Sequence, residues 1–347
     1  MDVLTALSEK SNYSDLSLQF IIGAWVVSAA LEGKANDAPK IALEDGDLEE
    51  ADYTKQSIYS LLYALYRNVG VIQTPGDQPW ELTFNTWGYT WPEAYGSPDP
   101  YPIDPQRFGR NAYTGLFQAP EMQAYLAAHE GRVHIVEMGC GTGAGAHHIC
   151  KTVLPKCTYH AIDMQQAAIT TCKTKFVPEL GGRLRATCGD ATKLELPAGS
   201  AKVVVVCETH VTERAGVVTP EDERFFETAF RLLEPGGFLT WGNAIPDSTW
   251  EPCFEFLESL GMKRVRVLDV TKEAIAARDQ DKARVDGFVE AAIGRFHGFK
   301  IPGLGARRRA EAAVAMKNFF RNPQTRLYEN MVEGKDSYRV ALFQKPA

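Results

Sequence analysis

The residues best placed to do chemistry are Gly139-Cys140-Gly141-Thr142-Gly143, which follow directly on Val133-His134-Ile135-Val136-Glu137-Met138. A β-branched run that closes on an acid predicts a buried parallel strand. The alanines and paired histidines from Ala144 to Cys150 can open a helix. Glycines at a strand-to-helix turn let a nucleotide approach the backbone, because no Cβ stands in the way. The spacing is not the dinucleotide pattern G-x-G-x-x-G. A second short run, Thr158 to Asp163, ends in an acid 20 residues beyond Gly143. A carboxylate there can accept hydrogen bonds from both hydroxyls of a ribose. Leu184 to Ala191 carries Gly189-Asp190-Ala191, and Ala201 to Glu208 is almost continuously apolar, as a central strand should be. Leu233-Glu234-Pro235-Gly236-Gly237 then breaks the chain before another apolar run.

The pattern Glu-x-Gly-x-Gly-x-Gly resembles motif I of the class I S-adenosylmethionine (SAM) methyltransferases. Gly189-Asp190-Ala191 resembles their third-strand motif, whose Asp receives the adenine amino group. Leu233 to Gly237 resembles the turn into their fifth strand. The resemblance implies an α/β, doubly wound, seven-stranded Rossmann-like sheet with SAM as cofactor and S-adenosylhomocysteine as product. It assigns SAM contacts to Glu137, Gly139, Cys140, Gly141, Asp163, Met164, Asp190, Ala191, Cys207 and Glu208, with Arg110 and Tyr113 reaching in from before the glycine motif. The plainer alternative is a generic α/β domain with glycine turns.

The elements that must position these residues are legible from periodicity. Helices are expected near 165–176, 220–233 and 249–260, strand six at Arg264 to Val270, and a last antiparallel strand at Tyr338 to Gln344. Residues 119–347 form the expected catalytic domain. Its segment 271–330 exceeds an ordinary crossover and reads as a helical insertion around the substrate pocket. Residues 1–95 read as a separate helical region. One helix is marked by apolar residues between Leu16 and Leu31, another by Ile58, Leu61, Leu62, Leu65 and Tyr66. This region would cap the domain or form a homodimer interface. Between the two lies a proline-rich lid segment, 96–118. Around it cluster Trp87, Tyr89, Trp91, Tyr95, Tyr101, Phe108 and Tyr113. Prolines at this density forbid a long helix. The aromatics suit either a lid over the sheet edge or a hydrophobic linker packed on the main domain.

A net charge of −7 argues against a nucleic-acid partner. The cluster Arg307-Arg308-Arg309 is isolated and reads as a solvated helix face or an anion contact. The 7 cysteines include no C-x-x-C pair and read as reduced core residues in a cytoplasmic protein. His147 and His148 are adjacent and diverge on a helix, so no zinc or other metal site is expected. No secretory signal is expected, and the apolar stretch Phe20 to Leu31 is too short to span a membrane.

Four further segments narrow the resemblance. They are Arg107 to Phe117, Glu208 to Glu213, Trp241 to Ser248, and Phe296-His297-Gly298-Phe299. Together they are similar to the DsyB family, which S-methylates 2-hydroxy-4-(methylthio)butanoate on the route to dimethylsulfoniopropionate. That resemblance implies a small carboxylate substrate and no general base, because a thioether carries no proton. Catalysis would rest on positioning and desolvation. Trp87, Tyr89, Trp91 and Tyr95 would face the sulfonium by cation–π attraction. Arg107 or Arg110 would hold the carboxylate, the other being free for SAM. His210, Trp241 and Asn243 would position the substrate at the carboxyl edge of the sheet, with Tyr113. His210 admits three roles: a base for a hydroxyl in an O- or C-methyltransferase, a hydrogen-bond donor in an S-methyltransferase, or a loop histidine satisfied by backbone. A SAM-binding protein without transfer activity is the remaining alternative.

Overall fold

A computed structural model describes Tyr63 and residues 70–72, 79–209, 215–294, 313–314 and 316–347. The two N-terminal helices, His210, His297 and Arg307 to Arg309 lie outside the described residues. The chain divides into two compact units. One comprises residues 84–164, 168–278 and 330–347, and the other residues 1–83, 165–167 and 279–329.

The first unit holds a seven-stranded sheet. Its strands are β1 (His134–Met138), β2 (Thr158–Asp163), β3 (Leu184–Cys188), β4 (Ala201–Cys207), β5 (Leu233–Pro246), β6 (Lys263–Asp269) and β7 (Asp336–Gln344). The spatial order is β3-β2-β1-β4-β5-β7-β6. The first five strands run parallel and β7 runs antiparallel between β5 and β6. The order reverses between β1 and β4, the crevice where open α/β sheets bind ligands. This is the α/β methyltransferase architecture that the sequence implies, and strands six and seven fall within two residues of their expected bounds.

Strand β4 shows why the sequence folds this way. It must be apolar on both faces, since helices cover each side. Val203 and Val205 enter one core with Ile135, Leu126 and Phe117. Val204 and Val206 enter the other with Val136, Met138, Leu239 and Trp241. The turn expected at Leu233 to Gly237 is a bulge inside β5. Ala201 pairs with Leu233 and Val203 with Phe238, so the extra residues loop out.

The helices of this unit include α1 (Arg107–Gly115), α2 (Pro120–Ala128), α3 (Ala144–His148), α4 (Pro220–Leu232) and α5 (Trp250–Ser259). Helix α4 starts where a capping box predicts. Thr219 Oγ1 accepts the Asp222 N–H, Asp222 accepts the Thr219 N–H, and Pro220 takes the first helical position. Helix α1 lies within the segment expected as a lid. The proline run ends at Pro105, and the chain turns helical two residues later, so 9 residues of segment 96–118 form a regular helix. Six of the cysteines are buried and Cys188 is partly so, all as free thiols.

Helix α6 (Thr271–Gly294) lies in segment 271–330, and the division between the units falls within it. In the second unit, Arg284 lies 4.8 Å from the Trp80 ring centroid and pairs with Asp281. Asp286 takes Lys282 and Lys317 as ion-pair partners. Phe288 meets Phe320 edge-on.

The glycine turn makes a stability prediction. Gly143 has φ +81° and a Cβ there would lie 2.3 Å from Cys172 Sγ, whereas Gly131 has φ +69° with open space around it. Gly131→Ala should cost only the left-handed strain, about 1 kcal/mol, and Gly143→Ala should cost at least about 2 kcal/mol more for the clash. Paired urea denaturation curves check this; equal midpoints for the two variants would contradict the packing.

Candidate active site

The crevice is built from the carboxyl ends of β1, β2 and β4. Gly139, Gly141 and Gly143 adopt φ of +87°, +54° and +81°. Side chains rarely tolerate that conformation, which explains the glycine spacing. The Gly139 and Cys140 N–H groups both donate to the Ile162 carbonyl, tying the turn to β2. The Gly141 N–H donates to Asp163 Oδ2 at 2.8 Å. Gly189 N–H donates to the Asp163 carbonyl at 2.9 Å. Turn, β2 terminus and β3 terminus are thus joined through one residue, Asp163, which is 9% exposed.

Around that centre lie further residues expected to contact the nucleoside. Met164 follows Asp163 with 46% of its surface exposed, an apolar face at the strand end. Asp190 accepts hydrogen bonds from the Thr192 N–H and hydroxyl at 2.9 and 2.7 Å. Burial opposes its ionisation, yet the Thr192 and Lys193 contacts hold its carboxyl below the ordinary range. Ala191 is buried beside it. A positive-φ glycine turn, a ribose-height carboxylate, an ionised Asp and an exposed thioether suit an adenine nucleoside. Residues Gly139 to Gly141, Asp163, Met164, Asp190 and Ala191 would hold it.

Glu137 sits elsewhere. It is completely buried, and its carboxylate accepts the Tyr113 hydroxyl at 2.8 Å and the Tyr159 hydroxyl at 3.1 Å. Burial pushes its pKa up to about 8. Tyr113 is 4% exposed and lies over Gly145, where a Cβ would meet the ring at 1.9 Å. Both were expected to touch SAM; their polar atoms instead satisfy one another beneath the turn. Burial raises the Cys140 and Cys207 thiols well above their usual value, so both are neutral packing groups.

The aromatic segment departs further from expectation. Tyr89 is fully buried, 3.2 Å from the Tyr95 hydroxyl and edge-on to Tyr338 at 5.3 Å. Tyr95 donates to the Gly115 carbonyl, and Trp91 donates to Ser97 Oγ. Tyr89 and Tyr95 therefore pack against α1. Trp241 requires a correction. It is 0% exposed among Phe226, Trp250 and Phe254, in the core where β5 alternation must point it. Its partner in expectation, Asn243, donates to the Thr209 carbonyl and accepts the Ala244 N–H.

The two arginines are committed locally. Arg110 pairs with Asp104 at 2.7 Å and donates to His148 Nδ1 at 3.1 Å. Burial and the Arg110 charge lower the His148 pKa to about 3, so His148 is neutral and donates from Nε2 to Thr114. Arg107 donates to the Pro102 carbonyl and lies over Phe108.

Glu208 follows β4 with φ +47°. Its carboxylate accepts the Trp87 N–H at 2.7 Å, the Gly88 N–H at 2.9 Å and the Tyr338 hydroxyl at 2.8 Å. Arg278, 2% exposed, donates to the Trp87 carbonyl. Sequence reasoning missed Tyr159 and Tyr338. The only signal for them was polarity inside otherwise apolar periodic elements.

Comparison with known proteins now becomes informative. A family model described as "Methyltransferase domain" matches residues 135–237. That stretch holds the glycine turn, Asp163, Asp190 and Glu208. This is a class I SAM-dependent methyltransferase domain. Phthiotriol/phenolphthiotriol dimycocerosates methyltransferase of Mycobacterium tuberculosis is 28% identical over 174 residues, covering 49% of this chain and 58% of that protein. The chain thus spans less than two thirds of that relative. Fatty-acid O-methyltransferase of Mycolicibacterium smegmatis is 24% identical over 61% of this chain and 68% of that one. Among solved structures, the [4+2]-cyclase SpnF shares the fold at a TM-score of 0.55 and 17% identity, over 84% of this chain and 96% of that one. The cofactor of the domain is SAM.

Two measurements test the site. Asp163→Ala removes the expected ribose acceptor and leaves the Gly141 N–H without its carboxylate. SAM affinity should fall by roughly 10- to 150-fold by calorimetry, the range for losing a charged hydrogen bond. Glu137 gives a pH signature. Its folded pKa, about 8, lies above that of an unfolded carboxyl. The native state therefore holds the extra proton between the two values, and stability falls as pH rises through that window. Glu137→Gln should flatten the decline in Tm between pH 5 and about 8; parallel wild-type and variant curves would contradict it.

Proposed function

We propose that this chain transfers a methyl group from SAM to the thioether sulfur of a small hydroxy acid, 2-hydroxy-4-(methylthio)butanoate. The observation that carries the reading is the fate of Glu208. The carboxylate nearest the end of β4 accepts three hydrogen bonds and is spent on holding the aromatic segment. Burial and those donors suit an anchor better than a proton shuttle. A thioether acceptor needs none. The similarity of segments 107–117, 208–213 and 241–248 to the DsyB family supports the same acceptor.

When bound, the cofactor supplies an electrophilic methyl on a sulfonium. The chain's own task is then alignment. The glycine turn and Asp163 would fix the nucleoside. Trp87, only partly buried, would exclude water and accept a cationic product as readily as a cationic donor. Arg107 or Arg110 would meet the acceptor carboxylate, at the expense of the Pro102 or Asp104 contact each now makes. A second reading is O-methylation with His210 as base. The likeness to a relative named fatty-acid O-methyltransferase favours it. We also propose that the protein acts as a cytoplasmic homodimer.

A panel of methylthio-hydroxybutanoate, methionine, methylthiopropanoate, a fatty acid and a phenol, scored by S-adenosylhomocysteine release, separates these readings. The methylthio acid should lead, with log kcat nearly flat from pH 6 to 9. Preference for the phenol, with rate lost on the acid side as a base protonates, would favour O-transfer. SAM binding without release from any acceptor would mark a binding protein.

A further inference from the structure

We propose that Glu208 is a positioning residue for the acceptor: its carboxylate fixes the Trp87-Gly88 backbone against the exit of β4 and so sets the acceptor side of the site without touching SAM. This rests on the reading above only in placing the acceptor at the aromatic segment.

The geometry divides two consecutive residues between two tasks. Thr209 faces the glycine turn. Its Oγ1 donates to the Gly139 carbonyl at 3.3 Å and fills the space a Gly139 Cβ would need, 2.1 Å away. Glu208 turns the other way and receives both N–H groups of Trp87 and Gly88. Two adjacent donors aimed at one carboxylate hold the peptide in a single orientation, and charge-assisted bonds are the strong kind. The third donor, Tyr338, is 1% exposed on β7, so Glu208 cannot swing away without stranding a buried hydroxyl. Arg278 grips the same peptide from the opposite side through the Trp87 carbonyl.

The clasp also explains Gly88. Its φ is +66°, and a Cβ would collide with the Phe108 carbonyl oxygen at 2.0 Å. The backbone at 87–88 is therefore pressed onto α1, and only a glycine lets both N–H groups converge. Thr90 completes the attachment by donating from its N–H to the Glu273 carbonyl at 3.1 Å. The Glu208 bonds place Trp87 relative to the exit of β4, the Arg278 and Thr90 links tie the same segment to α6, and none of these bonds engages Asp163 or Asp190.

The test is a split between cofactor and acceptor. Glu208→Gln keeps size but presents an amide NH2 to donors and should raise the acceptor KM by about 10- to 100-fold. SAM affinity by calorimetry should stay within about twofold, and no new protonation step should enter the pH profile. Tyr338→Phe removes one donor, leaves both backbone N–H groups paired, and should raise KM by roughly 3- to 10-fold. It serves if Glu208→Gln fails to fold. Hydrogen exchange reads the clasp without turnover: the Trp87 and Gly88 amides should lose protection in Glu208→Gln while those of residues 139–141 keep theirs. The acceptor is whichever panel compound is methylated, so a wrong substrate reading leaves this test intact. An unchanged acceptor KM, an equal loss of SAM affinity, or unchanged protection at 87–88 would overturn the proposal. So would a kcat that falls at constant KM with a new acid limb, which would make Glu208 a proton acceptor.

Discussion

Carboxylates delivered by parallel strands to one edge must each be satisfied, and the structure is arranged around that requirement. Strands β1 and β2 and the residue after β4 supply Glu137, Asp163 and Glu208 at or near that edge. Like charges so placed would repel in a region poor in water. The chain answers each one differently. Glu137 takes two tyrosine hydroxyls and burial keeps it protonated to about pH 8. Asp163 takes a backbone N–H of the glycine turn. Glu208 takes two backbone N–H groups and a tyrosine, with the Arg278 charge opposing the effect of its burial. Fold and site share these contacts, so neither can be changed alone.

Much of this arrangement was legible in the sequence. Continuous apolar runs marked the parallel strands because both faces are covered. The glycine spacing marked the turn because positive φ excludes most side chains. Apolar periodicity marked helix α4 near 220–233 because one face of a helix must be buried. These signals depend on residues within a few positions of one another. Contacts between distant segments have no such signature. The bond from Glu208 to Trp87 joins residues 121 apart, and Tyr338 lies farther still along the chain.

The misplaced residues share a cause. Trp241, Tyr89 and Tyr113 are large amphipathic side chains near the crevice in sequence, and such residues serve cores and pockets equally well. Trp241 was decided by strand parity and Tyr89 by the gap above Gly115, where its hydroxyl occupies the Cβ position. Arg110 was decided by Asp104, six residues upstream. A carboxylate in a proline-rich loop gives no warning that it will claim a guanidinium. The likeness to SpnF adds a lesson of the same kind. A shared sheet fixes where ligands sit and leaves the reaction to the side chains above it.

The notch at Gly145 reaches beyond packing. The Tyr113 ring fills it, and the same ring carries one of the two hydroxyls that answer Glu137. Positions 113, 145 and 137 are therefore bound into one evolutionary unit. A lineage that gains a side chain at 145 must shrink residue 113. It then loses a donor beneath the glycine turn and does best with a neutral or smaller residue at 137. Variation at the three sites should travel together, and a drift at any one of them alone should be rare.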